Sequence, residues 1–129
     1  MKNKDLKGKL TDIQYHVTQE HGTEAPFSGP LNDCKEEGTY KCICCDIELF
    51  ESGSKFDSGT GWPSFFDCLS KDKIDFKEDS SLMMVRIEVS CKNCGAHLGH
   101  VFSDGPEPTG LRYCLNSAAL DFEKDNSLN

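Results

Sequence analysis

Two cysteine pairs of the form CxxC, Cys42 with Cys45 and Cys91 with Cys94, constrain what this chain can fold into more than any other feature. Each pair closes its own tight knuckle, and residues 46–90 lie between them. Soft thiolates in a tetrahedral set suit zinc, which would staple the two loops together. The spacing predicts one structural zinc ion held by Cys42, Cys45, Cys91 and Cys94, with iron–sulfur binding as the residual chemistry. Four thiolates leave no open position for water, which argues against a catalytic zinc. The absence of a βαβ pattern around either pair argues against a thioredoxin-like redox motif. Cys44 is the odd thiol of the first knuckle, because an i,i+2 pair strains chelation by one loop.

The segments that carry the knuckles read as short strands. Gly38 precedes a Tyr/Cys/Ile run that enters the first knuckle, and LMMVRIEVS delivers the chain to Cys91. In the latter, Val85, Ile87 and Val89 alternate with Met84, Arg86 and Glu88, which predicts one buried face and one wet or partly covered face. HLGHVF is a strand broken at Gly99, and LRYCLN is a strand with Arg112, Cys114 and Asn116 on one face. Several short strands with turn signals and few helical stretches predict a mainly antiparallel β fold. The length of 129 residues predicts one domain over residues 1–129.

The remaining segments are read as supports. Leu6, Leu10, Ile13 and Val17 recur at helical spacing in an N-terminal arm over residues 1–20, with Thr11 capping the second of two short helices and Gly22 as a stop. His21 to Asp33 is turn-rich and reads as an extended loop without an acid, base or nucleophile cluster. Lys71 to Ser81 reads as a polar surface loop, and residues 123–129 as a fraying tail.

Charge and hydropathy exclude several function classes. Fourteen basic against 22 acidic residues give a net charge of −8, which argues against non-specific binding to nucleic acid or an anionic membrane. No apolar run is long enough to span a bilayer, and the polar start lacks a signal-peptide core, so a cytoplasmic location is expected. Eight cysteines without an export signal point to metal or redox chemistry rather than a disulfide framework.

Cys114 stands outside both metal pairs, and Arg112 on its face would favour thiolate over thiol. A lone strand cysteine is ordinarily a small buried residue. Here Asn116 shares its face, and His97, His100 and Asp104 lie a short distance upstream. Residues three apart in a regular strand point to opposite faces, so both histidines serve one site only if Gly99 supplies a bulge or kink. Trp62, between Gly61 and Pro63, is a held indole suited to wall a polar site.

SGTGWPSF, RIEVSCKNCGAHLGHVFSDGPEPTG and LRYCLNSAAL resemble the signature of the methionine-R-sulfoxide reductases, the methionine sulfoxide reductase B family, from about Thr18 to Phe122. The resemblance implies two antiparallel sheets in a β-tent-like sandwich with short N-terminal helices, a structural four-cysteine zinc site, and reduction of methionine-R-sulfoxide in proteins or peptides, and of the free amino acid as a possible second substrate. It implies Cys114 as the nucleophile that becomes a sulfenic acid, with His97, His100, Asp104, Arg112 and Asn116 around it. Trp62 matches the residue that walls the substrate methyl group, and thioredoxin is the implied reductant. A monomer is expected.

One position departs from a common pattern of that family: Thr60 stands before GWPSF where many members have cysteine. A hydroxyl cannot resolve a sulfenic acid into a disulfide. Cys34, in the turn-rich lead-in, is the preferred resolving thiol, with Cys68, Cys44 or an external thiol as alternatives. Two rival readings of the chain remain, a zinc-ribbon-like protein-binding module without catalysis and a thiol peroxidase.

Overall fold

The structure is a computed structural model and describes residues 10–79 and 86–124. Among the described residues one α-helix, α1 (Asp12–Gln19), precedes nine strands: β1 (Gly38–Cys42), β2 (Glu48–Glu51), β3 (Lys55–Phe56), β4 (Ser64–Phe65), β5 (Ile74–Asp79), β6 (Arg86–Cys91), β7 (His97–Phe102), β8 (Arg112–Leu115) and β9 (Leu120–Lys124). They form two antiparallel sheets, a three-stranded one in the order β2-β1-β9 and a six-stranded one in the order β3-β4-β8-β7-β6-β5. The expected mainly β architecture is what the sequence folds into.

Aromatic side chains hold the two sheets together. Tyr40 and Phe50 from the small sheet meet Phe65 and Tyr113 from the large one, with ring centroids 5.0 Å apart for Tyr40–Phe65, 4.7 Å for Phe50–Phe65 and 5.4 Å for Phe50–Tyr113. All four are fully buried. Such rings bury large apolar areas and gain about 0.5–1.5 kcal/mol per pair beyond that burial. The core therefore lies between the sheets, and the outer face of the large sheet is left for the site.

α1 begins as the sequence predicts. Thr11 caps it through a reciprocal box, its Oγ1 accepting from the Gln14 N–H while Gln14 Oε1 accepts from the Thr11 N–H. Only Val17 and Thr18 of the helix are buried, whereas Ile13 is exposed. The helix ends at Gln19, three residues before Gly22, whose missing side chain makes room for the His16 ring. The first of the two expected helices, with Leu6, lies outside the described residues.

Three local readings are corrected. Ile74–Asp79 is a six-residue edge strand paired with β6 rather than a loop, and its exposed charged positions suit an edge that must not recruit another strand. In β6 the alternation fails: Ile87 is exposed and Glu88 is buried. The physical reason is that two histidines cover the Glu88 carboxylate. β9 runs through Lys124, because Glu123 and Lys124 complete the ladder against Thr39 and Gly38. Met84, Val85 and the rest of the expected tail lie outside the described residues.

Candidate active site and thiol cluster

The two knuckles meet. Cys42 Sγ lies 3.6 Å from Cys94 Sγ, and Cys45 Sγ lies 3.7 Å from Cys91 Sγ. The four sulfurs form one group that can hold a metal ion. Cys44 stays outside it, buried and accepting a 3.5 Å hydrogen bond from Gln19 Nε2. Crowding makes these thiols share protons: Cys42 is pushed up by hydrogen bonds with its neighbours, and Cys94 is held down to about 6 by the hydrogen bond with Cys42. Each knuckle is also tied by backbone, Asp46 N–H to Cys42 C=O at 2.8 Å and Gly95 N–H to Cys91 C=O at 2.7 Å.

The second site begins with a bulge. β6 and β7 pair Val89 with Gly99 but Ser90 with His97, so Leu98 is the extra residue in β7. The bulge brings His97 and His100 together, with ring centroids 5.7 Å apart and edge to face. Gly99 has a further role. A Cβ there would lie 2.2 Å from the Cys114 carbonyl oxygen, so only glycine lets β8 pack this closely.

Cross-strand register then sets the row. Cys114 on β8 is directly opposite His100 on β7, which is directly opposite Glu88 on β6. Beside them is an open-sided cleft of about 420 Å³, lined by Trp62, Arg86, His100, Phe102, Cys114 and Asn116 among others. His97 does not line it and lies buried behind His100. Trp62 is held by its indole N–H, which donates to the Glu24 carbonyl at 3.0 Å. Asn116 is held twice, its side-chain N–H donating to Leu98 C=O at 3.1 Å and its Oδ1 accepting from Glu24 N–H at 3.0 Å.

Three carboxylates engage the cation and imidazoles around the site. Asp104, itself exposed, forms a two-point pair with Arg112 at 2.9 and 3.3 Å. That guanidinium holds the Asp104 carboxyl below its ordinary range and also covers the Phe102 ring at 4.4 Å. His100 Nε2 meets Asp79 at 3.0 Å, and His97 Nδ1 meets Glu88 at 2.7 Å. Burial lowers the His97 pKa against the pull of Glu88, so the ring favours its neutral form. Burial opposes ionisation of Glu88, but the hydrogen bonds and charge of His97 and His21 outweigh it and lower its pKa.

Burial also dominates at Cys114. Its thiol is pushed above the ordinary value by desolvation, and the opposing pull of Thr60 and Arg112 is smaller. Arg112 therefore acts in the expected direction without winning, and the resting group is a thiol. Thr60 Oγ1 lies 4.0 Å from Cys114 Sγ. Cys34 lies on the far side of β4, in a recess with Lys55, Phe56 and Asp57, and β3 is two strands from β8, about 10 Å across the sheet. Cys68 Sγ is 3.8 Å from the Tyr113 hydroxyl.

Four residues at the site have no local sequence signal of their role. Glu24 sits in the lead-in that reads as chemically empty. It is 3% exposed, and its carboxylate accepts from the Ser117 and Ala118 N–H groups at 2.9 and 2.8 Å. Each such charge-assisted bond stabilises by about 1.5–3 kcal/mol, so Glu24 fastens the lead-in to the turn after β8. Asp79, Glu88 and His21 likewise acquire their roles from partners distant in the chain. Their only signal is an acid within an otherwise regular strand or beside a histidine.

Known proteins share much of this sequence. The SelR domain matches residues 10–124. A peptide methionine sulfoxide reductase MsrB of Methanosarcina mazei is 59% identical over 121 residues, covering 94% of this chain and 86% of that protein. Its counterpart in Photorhabdus laumondii is 58% identical over 122 residues, covering 95% and 90%. The mouse methionine-R-sulfoxide reductase B3, mitochondrial, is 54% identical over 123 residues, 95% of this chain and 49% of that longer protein. With the SelR match spanning nearly all of the described residues, the chain belongs to the methionine-R-sulfoxide reductase B family.

Proposed function

We propose that the chain reduces the R epimer of methionine sulfoxide, protein-bound and also free, to methionine at the Cys114 cleft. The observation that carries this reading is Cys114 opposite His100 in one cross-strand row, beside a held indole. The Cys114 sulfur attacks the sulfoxide sulfur, the oxygen is protonated and passes to the Cys114 sulfur as its bond to the methionine sulfur breaks, and methionine leaves with Cys114 as a sulfenic acid. The resting Cys114 group is a thiol, so its proton is available to the departing oxygen through an imidazole. His100 lines the cleft and is the direct carrier, and His97 supports it from behind. Trp62 receives the polarised methyl group, Asn116 orients the oxygen, and Arg112 steadies charge near Cys114, with Asp104 positioning Arg112.

The four-cysteine group holds a structural zinc ion. A tetrahedral site with bonds of about 2.3 Å places sulfurs about 3.8 Å apart, close to the 3.6 and 3.7 Å separations of the two pairs. Zinc supplies a cross-link between the knuckles and no open coordination position.

Thioredoxin regenerates Cys114, with Cys34 as the resolving thiol. Bridging needs Cα atoms within about 7 Å, so the 28–34 lead-in must move toward the cleft. Eight cysteines, none of them joined in a disulfide, fit a reducing compartment such as the cytoplasm.

Incubation with each methionine sulfoxide epimer and dithiothreitol tests the reading: methionine is expected from the R epimer alone. Product from neither epimer would return the chain to the rival reading of a zinc-ribbon-like binding module.

A further inference from the structure

Glu88 has two histidine partners, and neither lines the cleft. Its Oε2 is 2.7 Å from His97 Nδ1 and 2.8 Å from His21 Nδ1. The three donor atoms all lie within 4.8 Å of one another. We propose that His21, Glu88 and His97 form a second metal site for a divalent ion of the zinc class, and that filling it switches off the reductase.

Bond lengths support the site. Metal–nitrogen and metal–oxygen bonds of about 2.0–2.2 Å put donors about 3.0–3.4 Å apart, so the two histidine–carboxylate distances need to open by only about half an ångström. Two imidazoles with one carboxylate suit zinc, copper or nickel better than magnesium or calcium. The set is half built and half open. The Glu88 and His97 side chains are 11% and 4% exposed and fixed by paired strands, whereas His21 is 67% exposed and stands toward solvent. An ion can therefore enter from the His21 side onto a prearranged pair. Three protein donors leave room for water ligands, so the ion is exchangeable, unlike one closed in by four thiolates.

Occupancy bears on the cleft through His97. Its ring touches that of His100 edge to face, and His100 is directly opposite Cys114. Opening the His97–Glu88 distance by about half an ångström to admit the ion shifts the His97 ring against its edge-to-face neighbour His100, the imidazole opposite Cys114. This inhibitory half rests on the reductase reading, and the binding half does not.

The test uses zinc-loaded protein freed of loosely held metal and titrated with Zn²⁺ by calorimetry. One further equivalent is expected. His21→Ala and Glu88→Gln should each weaken it at least tenfold, while Cys114→Ser should keep it. Unchanged binding in His21→Ala, or loss in Cys114→Ser, would overturn the site. Single-turnover methionine release, which needs no chelating thiol, is then measured with and without added Zn²⁺. Wild type should slow at least tenfold and recover with citrate, and His21→Ala should resist. Equal slowing of both proteins would overturn the switch. A chain that released no methionine without added zinc would break the reductase reading, and the calorimetry would still decide the site.

Discussion

At the knuckles, Cys42, Cys45, Cys91 and Cys94 face one another at 3.6 and 3.7 Å, whereas Cys114 faces a hydroxyl, two rings and an open cleft. Both environments are at least partly buried, and both derive from cysteines in strands or knuckles. The difference lies in what can satisfy the sulfur's charge. Four sulfurs converging on one point invite a cation, and once bound they have no free lone pair aimed at a substrate. Cys114 has only the weaker pull of Thr60 and Arg112, so burial keeps it protonated until a reacting partner takes the proton. Stability and reactivity are thus assigned to different thiols by their neighbours, not by their residue type.

Substitution at Cys114 is the sharpest way to break that comparison. Cys114→Ser should lower methionine formation by at least about a thousandfold while leaving metal content and the thermal midpoint unchanged. A matching loss of metal would show that the two environments are one.

Cys34→Ser should keep a full single-turnover yield of methionine and lose at least about tenfold of thioredoxin-driven cycling, since only regeneration needs a second thiol. Full cycling would remove Cys34 from the scheme without touching Cys114.

Cys91→Ser should lose the bound metal and several kcal/mol of stability, out of an apparent zinc-binding energy on the order of 10 kcal/mol. Cys44→Ser should retain the metal. The reverse pattern, read by elemental analysis and thermal unfolding, would show that the wrong thiols had been paired.

The smallest effect concerns pH. Because burial raises the Cys114 pKa, its thiolate fraction is small at neutral pH and grows only as pH rises past the ordinary thiol value of 9.0. Alkylation of Cys114 in protein free of substrate should therefore be slow at pH 7 and should still be accelerating at pH 9. A rate that levels off below pH 8 would mean that Arg112 outweighs desolvation.

Much of the fold was legible because strands announce themselves locally. The runs at Gly38–Cys42, Arg86–Cys91, His97–Phe102 and Arg112–Leu115 all form where their patterns predict. β5 was not, since Asp75, Lys77, Glu78 and Asp79 give an edge strand the composition of a loop. Cys114, Trp62, His100 and Asn116, singled out in the sequence, line one cleft. The sequence did not reveal the partner of Asp104, because the bidentate pair it makes with Arg112 joins residues of a turn and a strand.

Sequence by itself determined which thiols form CxxC pairs, which residues share a strand face with Cys114, and that Thr60 carries no thiol, because knuckle spacing, strand alternation and functional-group chemistry are properties of a few neighbouring residues. Only the tertiary structure decided which carboxylate meets which histidine and how burial weighs against Arg112. Those outcomes depend on contacts such as Glu24 with Ser117 and His21 with Glu88, between residues 93 and 67 positions apart. Charge and desolvation act through space, and no local pattern encodes which distant side chain will be there.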